Sequence, residues 1–197
     1  MQPVAEENFW RQRGWVAWRA FDLDSAINHL SRSDVLIVAH PAEFSALRKA
    51  ETQMLLADVE LARNNPDAAQ AHLLVGQPVF EHEYAEDHPE RAPLHVQLAR
   101  LALLQQRPDA ALHEADAALR ILDKHRDFPA ADRLASLWIR AESLFALDDC
   151  AAALFTASRA RSLSIQDPQA ESLPRDLKRA AISELAVNRQ CNPSTAP

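Results

Sequence analysis

The sequence predicts an all-α protein, an α-solenoid of about four antiparallel helix pairs plus a C-terminal capping helix. Three observations carry this. The chain is rich in Ala and Leu, yet has only 2 Gly and 1 Tyr in 197 residues, which favours helix over a turn-dense β fold. Small residues recur in aligned columns at one period. Polar turns, several containing Pro, separate runs of helical hydrophobic periodicity.

The columns are explicit. Ala26, Ala69, Ala111 and Ala153 are spaced by 43, 42 and 42 residues. Each opens a run that follows a short polar turn, as in Asn64-Asn-Pro-Asp-Ala-Ala-Gln70 and Gln106-Arg-Pro-Asp-Ala-Ala-Leu112. Seven residues after each anchor stands Ser33, Gly76, Ala118 or Ala160, and twelve before it Gly14, Ala57, Ala99 or Ala141. Two antiparallel helices approach closely only where neither carries bulk, so a small residue on each marks their crossing.

The elements follow in order, with helices expected over about 5–20, 24–38, 42–64, 67–83, 91–106, 109–125, 130–147, 150–163 and 175–190. Val35 to Ala39 is β-branched, but with no second strand in sight it is assigned to the end of the second helix. Pro66 and Pro108 stand at or near a first helical position, where the missing N–H costs nothing. Leu94, Leu98, Leu101 and Ala102 give the fifth helix its apolar face; Ala111, Ala115, Ala118, Leu119 and Leu122 give the sixth. Pro41, Pro89, Pro129 and Pro174 punctuate the linkers. The run 175–190 has no partner helix and is expected to cap the stack, with 191–197 a flexible tail. Because the repeat phase runs unbroken past Asp87, residues 1–190 are expected to form one domain. Its units are about 5–38, 42–84, 91–126 and 130–163.

Charge and composition exclude several classes. With 48% hydrophobic and 25% charged residues the chain has the profile of a globular protein. A net charge of −7 argues against a nucleic-acid interface, which needs a positive footprint. The apolar run Val35 to Ala39 is about a quarter of a membrane span, and Met1 to Gly14 has no signal-peptide core. Cys150 and Cys191 sit in unlike contexts and suggest neither a disulfide framework nor a metal cluster. A reducing, cytoplasmic location is therefore expected.

The arrangement resembles the tetratricopeptide repeat family. The first unit carries Trp10, Gly14, Ala17, Ala26 and Leu30, with Arg13 in place of the family's Leu and Ala17 in place of its Tyr. The third keeps Leu98-Ala99, Ala102, Ala111 and Ala118. The period of about 42 exceeds the family's usual 34 and looks like the longer repeat of kinesin light chains and related bacterial arrays. His88-Pro-Glu-Arg-Ala92 ahead of Leu98-Ala99 is similar to the opening of their units.

No catalytic constellation can be assembled. His82 and His88 lie six apart, not the four that would put both on one helical face for zinc, and Pro89 follows. With Gly only at 14 and 76, neither a phosphate loop nor a nucleophile elbow is available. Cys150 opens a helix, but Asp148 and Asp149 oppose a lowered thiol pKa, and a packing role is expected. His29, His72, His95 and His113 have no partner three or four residues away. No metal, cofactor or catalytic residue is expected.

What remains is a surface. The resemblance implies that the first helix of each pair lines a concave groove. That lining comprises Arg11, Trp15, Trp18 and Arg19; Met54, Asp58 and Leu61; Val96, Arg100 and Leu103; and Trp138, Glu142 and Phe145. Arg11, Trp15 and Arg19 follow i, i+4, i+8 with Trp18 beside them, and Trp and Arg dominate binding hot spots. Trp10, on the motif's core position, is expected to pack. The Asn and Lys clamp of chaperone-binding members is missing from the positions held by Asp58, Arg100 and Glu142. The expected function is a non-catalytic module that binds a peptide or helix of another protein in the groove, with neither nucleic acid nor membrane as partner. Alternatives are a regulatory or sensory piece of a larger bacterial signalling or transcription regulator, and a self-associating scaffold that forms a homo-oligomer.

Overall fold

The structure, a computed structural model, describes residues 2–166 and residue 191. Among the described residues it is all-α: α1 (Pro3–Arg19), α2 (Leu23–Ala39), α3 (Ala46–Ala62), α4 (Pro66–Glu83), α5 (Arg91–Leu104), α6 (Pro108–Lys124), α7 (Ala130–Ala146) and α8 (Cys150–Gln166). Consecutive helices pair, α1 with α2, α3 with α4, α5 with α6 and α7 with α8. The expected capping helix at 175–190, and the tail beyond residue 191, lie outside the described residues. Val35 to Ala39 closes α2 as helix. The third helix starts later than expected, at Ala46, because Ser45 caps it: its Oγ accepts from Arg48 N at 3.1 Å.

Each hairpin closes in the same way. Three residues join its helices, and the middle one is left-handed: Phe21 (φ 61°), Asn64 (57°), Gln106 (59°) and Asp148 (62°). The next N–H reaches back five residues, from Asp22 to Ala17 O (2.9 Å), Asn65 to Glu60 O (3.0 Å), Arg107 to Ala102 O (2.9 Å) and Asp149 to Leu144 O (2.9 Å). This is a Schellman closure made without glycine, and it turns the chain back on itself. Pro66 and Pro108 then start α4 and α6 at positions that need no N–H.

All twelve residues of the three small columns are buried. A Cβ on Gly14 would stand 2.6 Å from Leu30 Cγ, so α1 and α2 cross at a distance that excludes alanine without movement. A Cβ on Gly76 would stand 3.1 Å from Met54 Sδ, so the Met54 side chain fills the notch that Gly76 leaves in α4.

Contacts divide the chain between Glu86 and Asp87, inside what the sequence reads as one body. In the first unit α3 packs against α1 and α2, and Leu56 and Val59 join Ala26 and Leu30 in one core. A polar joint lies beside it. The fully buried carboxylate of Glu7 accepts from Ser33 Oγ (2.8 Å) and from Arg48 Nε (3.0 Å) and Nη2 (2.8 Å), so one side chain ties three helices. Arg48 Nη2 also contacts Asn8 Oδ1.

In the second unit α7 packs against α5 and α6. Val96, Ala99 and Ala102 meet Ala111, Ala115, Ala118 and Ile139. Cys150, at the start of α8, is bonded to Cys191 with Cα atoms 5.4 Å apart. This corrects two expectations: Cys150 is not a lone packing thiol, and residue 191 is held rather than frayed. The pairing joins residues 41 apart in sequence, which helical periodicity does not register. No helix among the described residues is long and apolar enough to cross a membrane.

Candidate interaction surface

The thirteen residues assigned to a concave lining do not share one exposure. Met54, Val96, Arg100 and Trp138, assigned to the lining of a concave groove, are buried. The reason is the surrounding alanine: Trp138 fills the space left by Ala141, Ala157 and Ala160, against Leu119 and Leu137. Asp58 and Glu142 are half-buried. Leu61 is buried too, while Leu103 and Phe145 are half-buried.

The stripe on α1 divides in two. Arg11 and Trp18 turn toward α3. Arg11 Nη1 lies 3.5 Å from Glu51 Oε2, and Trp18 packs on the core formed with Leu56 and Val59. Trp15 and Arg19 face outward. Trp15 is 44% exposed, and the Arg19 guanidinium sits 5.0 Å above its ring. The i, i+4 spacing within one helix stacks these two side chains.

Two more such stacks lie on the side of the same hairpin turned away from α3. Arg13 sits over Phe9 (5.2 Å) and Arg32 over Trp10 (4.5 Å). Trp10 meets Phe9 edge-on at 5.0 Å and stacks on His29 at 5.4 Å. Among the described residues none of Arg13, Arg19 and Arg32 is in an ion pair. Below the stacks runs an open groove of about 480 Å³ between α1 and α2, lined by Phe9, Arg13, Val16, Asp22, Ser25 and His29 among others. His29 Nδ1 is buried there without a hydrogen-bond partner among the described residues. Asp22 caps α2, and hydrogen bonds from the Ser25 side chain and then its backbone hold the carboxyl below its usual range.

Of His29, His72, His95 and His113, the first three meet a residue on the other helix of their hairpin, His72 and His95 by hydrogen bonds and His29 by ring stacking. Trp10 and His29 occupy the register that Gln53 and His72 hold in the second hairpin and His95 and Glu114 in the third, 19 residues apart each time. His72 Nδ1 donates to Gln53 Oε1 (2.7 Å), and Gln53 Nε2 donates to Asp34 Oδ1 (2.7 Å). Burial pushes the His72 pKa down, against the pull of Glu60 and Asp34. His95 Nδ1 donates to Glu114 Oε2 at 2.7 Å. A search at three and four residues misses these pairs, whereas the 42-residue register displays them.

His82 and His88 are engaged locally, His82 beside Glu83 Oε1 (3.3 Å) and His88 accepting from Glu90 N (3.2 Å). Among the described residues no group of three His, Cys, Asp or Glu is placed to hold a metal ion. No protein family, curated protein or solved structure matches the chain.

Proposed function

We propose that the chain is a non-catalytic interaction module of tetratricopeptide-like hairpins that grips a peptide or helix of a partner protein. The observation that carries this reading is the exposed Trp15 with Arg19 stacked on it. A large aromatic and a guanidinium are held together on the surface, and both belong to the residue types enriched at interface hot spots. The repeat register supports the family resemblance, since the left-handed closures and the buried small columns recur together at 42 to 43 residues.

The test is affinity capture from the native host with the immobilised chain, quantified by mass spectrometry. Trp15→Ala with Arg19→Ala should deplete a specific binder more than tenfold while far-ultraviolet circular dichroism is retained. His82→Ala with His88→Ala should leave capture unchanged. If the Trp15/Arg19 variant captures the same proteins as wild type, the reading fails.

The cytoplasmic location expected from two unpaired thiols loses its basis once Cys150 and Cys191 are bonded. Such a bond persists in oxidising surroundings, and these we propose as the working environment.

A further inference from the structure

We propose that the face of the α1–α2 hairpin turned away from α3 is a second docking site, and that it takes an acidic amphipathic helix of a partner protein. This rests on the interaction-module reading but assigns a different surface and a defined partner chemistry.

Register makes the first argument. Phe9, Arg13 and Val16 stand 43 residues before Thr52, Leu56 and Val59. Those three α3 residues are buried, and Leu56 and Val59 do so in the core shared with Ala26 and Leu30 of the first hairpin. The α1 positions therefore belong to the side on which this repeat receives a neighbouring helix pair. Yet Phe9 is 44% and Val16 58% exposed. A helix that lies there would bury both against the groove beside them.

Charge makes the second argument and selects the occupant. Leu56 and Val75 of the second hairpin are replaced in register by Arg13 and Arg32. Both guanidiniums are splinted over aromatic rings and neither has a carboxylate partner among the described residues. A chain of net charge −7 thus presents two fixed positive charges beside Phe9 and Val16, against the single carboxylate of the groove lining, Asp22 at the α2 cap, which fits a helix with acidic residues flanking a Leu-type stripe. A second copy docked face to face would oppose Arg13 and Arg32 to themselves, which disfavours a symmetric dimer.

The probe is an 18-residue helical peptide with Leu at i, i+3, i+4 and i+7 spacing flanked by Glu, with a twin in which every Glu is Lys. Isothermal titration gives affinity, and the four Trp indole signals in NMR report where each peptide sits. The expected result is at least a tenfold preference for the Glu peptide, with the Trp10 signal moving most. Arg13→Glu with Arg32→Glu should invert that preference, and Val16→Arg should abolish binding. Both variants change exposed side chains, and circular dichroism confirms their fold. Equal binding of the twins, no binding of either, an unaltered preference in the charge-reversed variant, or self-association lost on Val16→Arg would each overturn the inference. Loss of host-protein capture in the Trp15/Arg19 variant, with no response to the Arg13/Arg32 change, would leave the module reading standing and sink this site alone.

Discussion

The buried Glu7 and the half-buried Arg48 form a two-pronged ion pair between α1 and α3: the guanidinium donates to one carboxylate oxygen at 3.0 and 2.8 Å while Ser33 of α2 donates to the other. A carboxylate without exposure cannot recover hydration when its partner is removed. Arg48→Met leaves Glu7 with Ser33 and the longer contact to Arg11 Nε (3.8 Å), and is expected to cost the first unit about 1–3 kcal/mol in urea unfolding, the cost of unmade hydrogen bonds to a buried group. The double change Glu7→Leu with Arg48→Met should cost clearly less than the sum of the single ones, since it leaves no stranded charge. Additive costs would mean that the pair is not coupled.

Gly14→Ala tests the closest helix crossing. The added Cβ would meet Leu30 Cγ at 2.6 Å, an overlap that side-chain rotation alone does not relieve because Leu30 N is also near, at 3.2 Å. Alanine gains up to about 1 kcal/mol in helix propensity, and overpacking costs about 1–3 kcal/mol. A net loss is expected, read as a lowered thermal midpoint. A raised midpoint would show that the crossing yields.

Acidification should destabilise the first unit through His72. Its folded pKa is lowered by burial, so the native state binds fewer protons than the unfolded chain in the window just below the ordinary value of 6.5. The His72 contribution is fully present above that pH and is lost as pH falls through the window. His72→Gln, which can keep a donor to Gln53, should flatten the dependence of the midpoint between pH 7.5 and 5. An unchanged slope would assign the effect elsewhere.

The Cys150–Cys191 bond closes a loop of 41 residues in sequence separation. Chain-entropy arguments give such a closure about 4 kcal/mol in stabilisation. Cys150→Ala with Cys191→Ala should lower stability of the second unit by about 2–4 kcal/mol, and reduction of the wild type should match it. Intact mass after alkylation of protein taken from its host should show no modified cysteine. Two alkylated cysteines would place the chain in a reducing compartment.

Sequence and structure agree where one physical constraint acts on single residues. Close crossing forbids bulk, so Gly14, Ala57, Ala99 and Ala141 announce the hairpins. Pro at a first helical turn likewise marks α4 and α6. The left-handed closures were illegible by residue type, since Phe21, Gln106 and Asp148 stand where glycine would signal them, although they repeat at the same 42 to 43 residues. The proposed surface was half legible. Trp15 and Arg19 could be read from i, i+4 spacing, but burial of Met54, Val96 and Trp138 depends on how much room neighbouring Gly and Ala leave across helices. The Phe9–Arg13 face was missed because only its register with Thr52, Leu56 and Val59 gives it meaning.

The most direct measurement of the central claim is photo-crosslinking in the native host, with a benzophenone amino acid placed at Arg19, at Val16 and, as a control on the exposed side of α4, at Gln70. Arg19 and Val16 stand on the two surfaces assigned to partners, and Gln70 is exposed on α4, outside the α1–α2 hairpin. The expected result is discrete adducts with another protein from positions 19 and 16 and none from 70. Adducts of equal yield from all three positions, or from none, would contradict the claim that the first hairpin is the binding end of this chain.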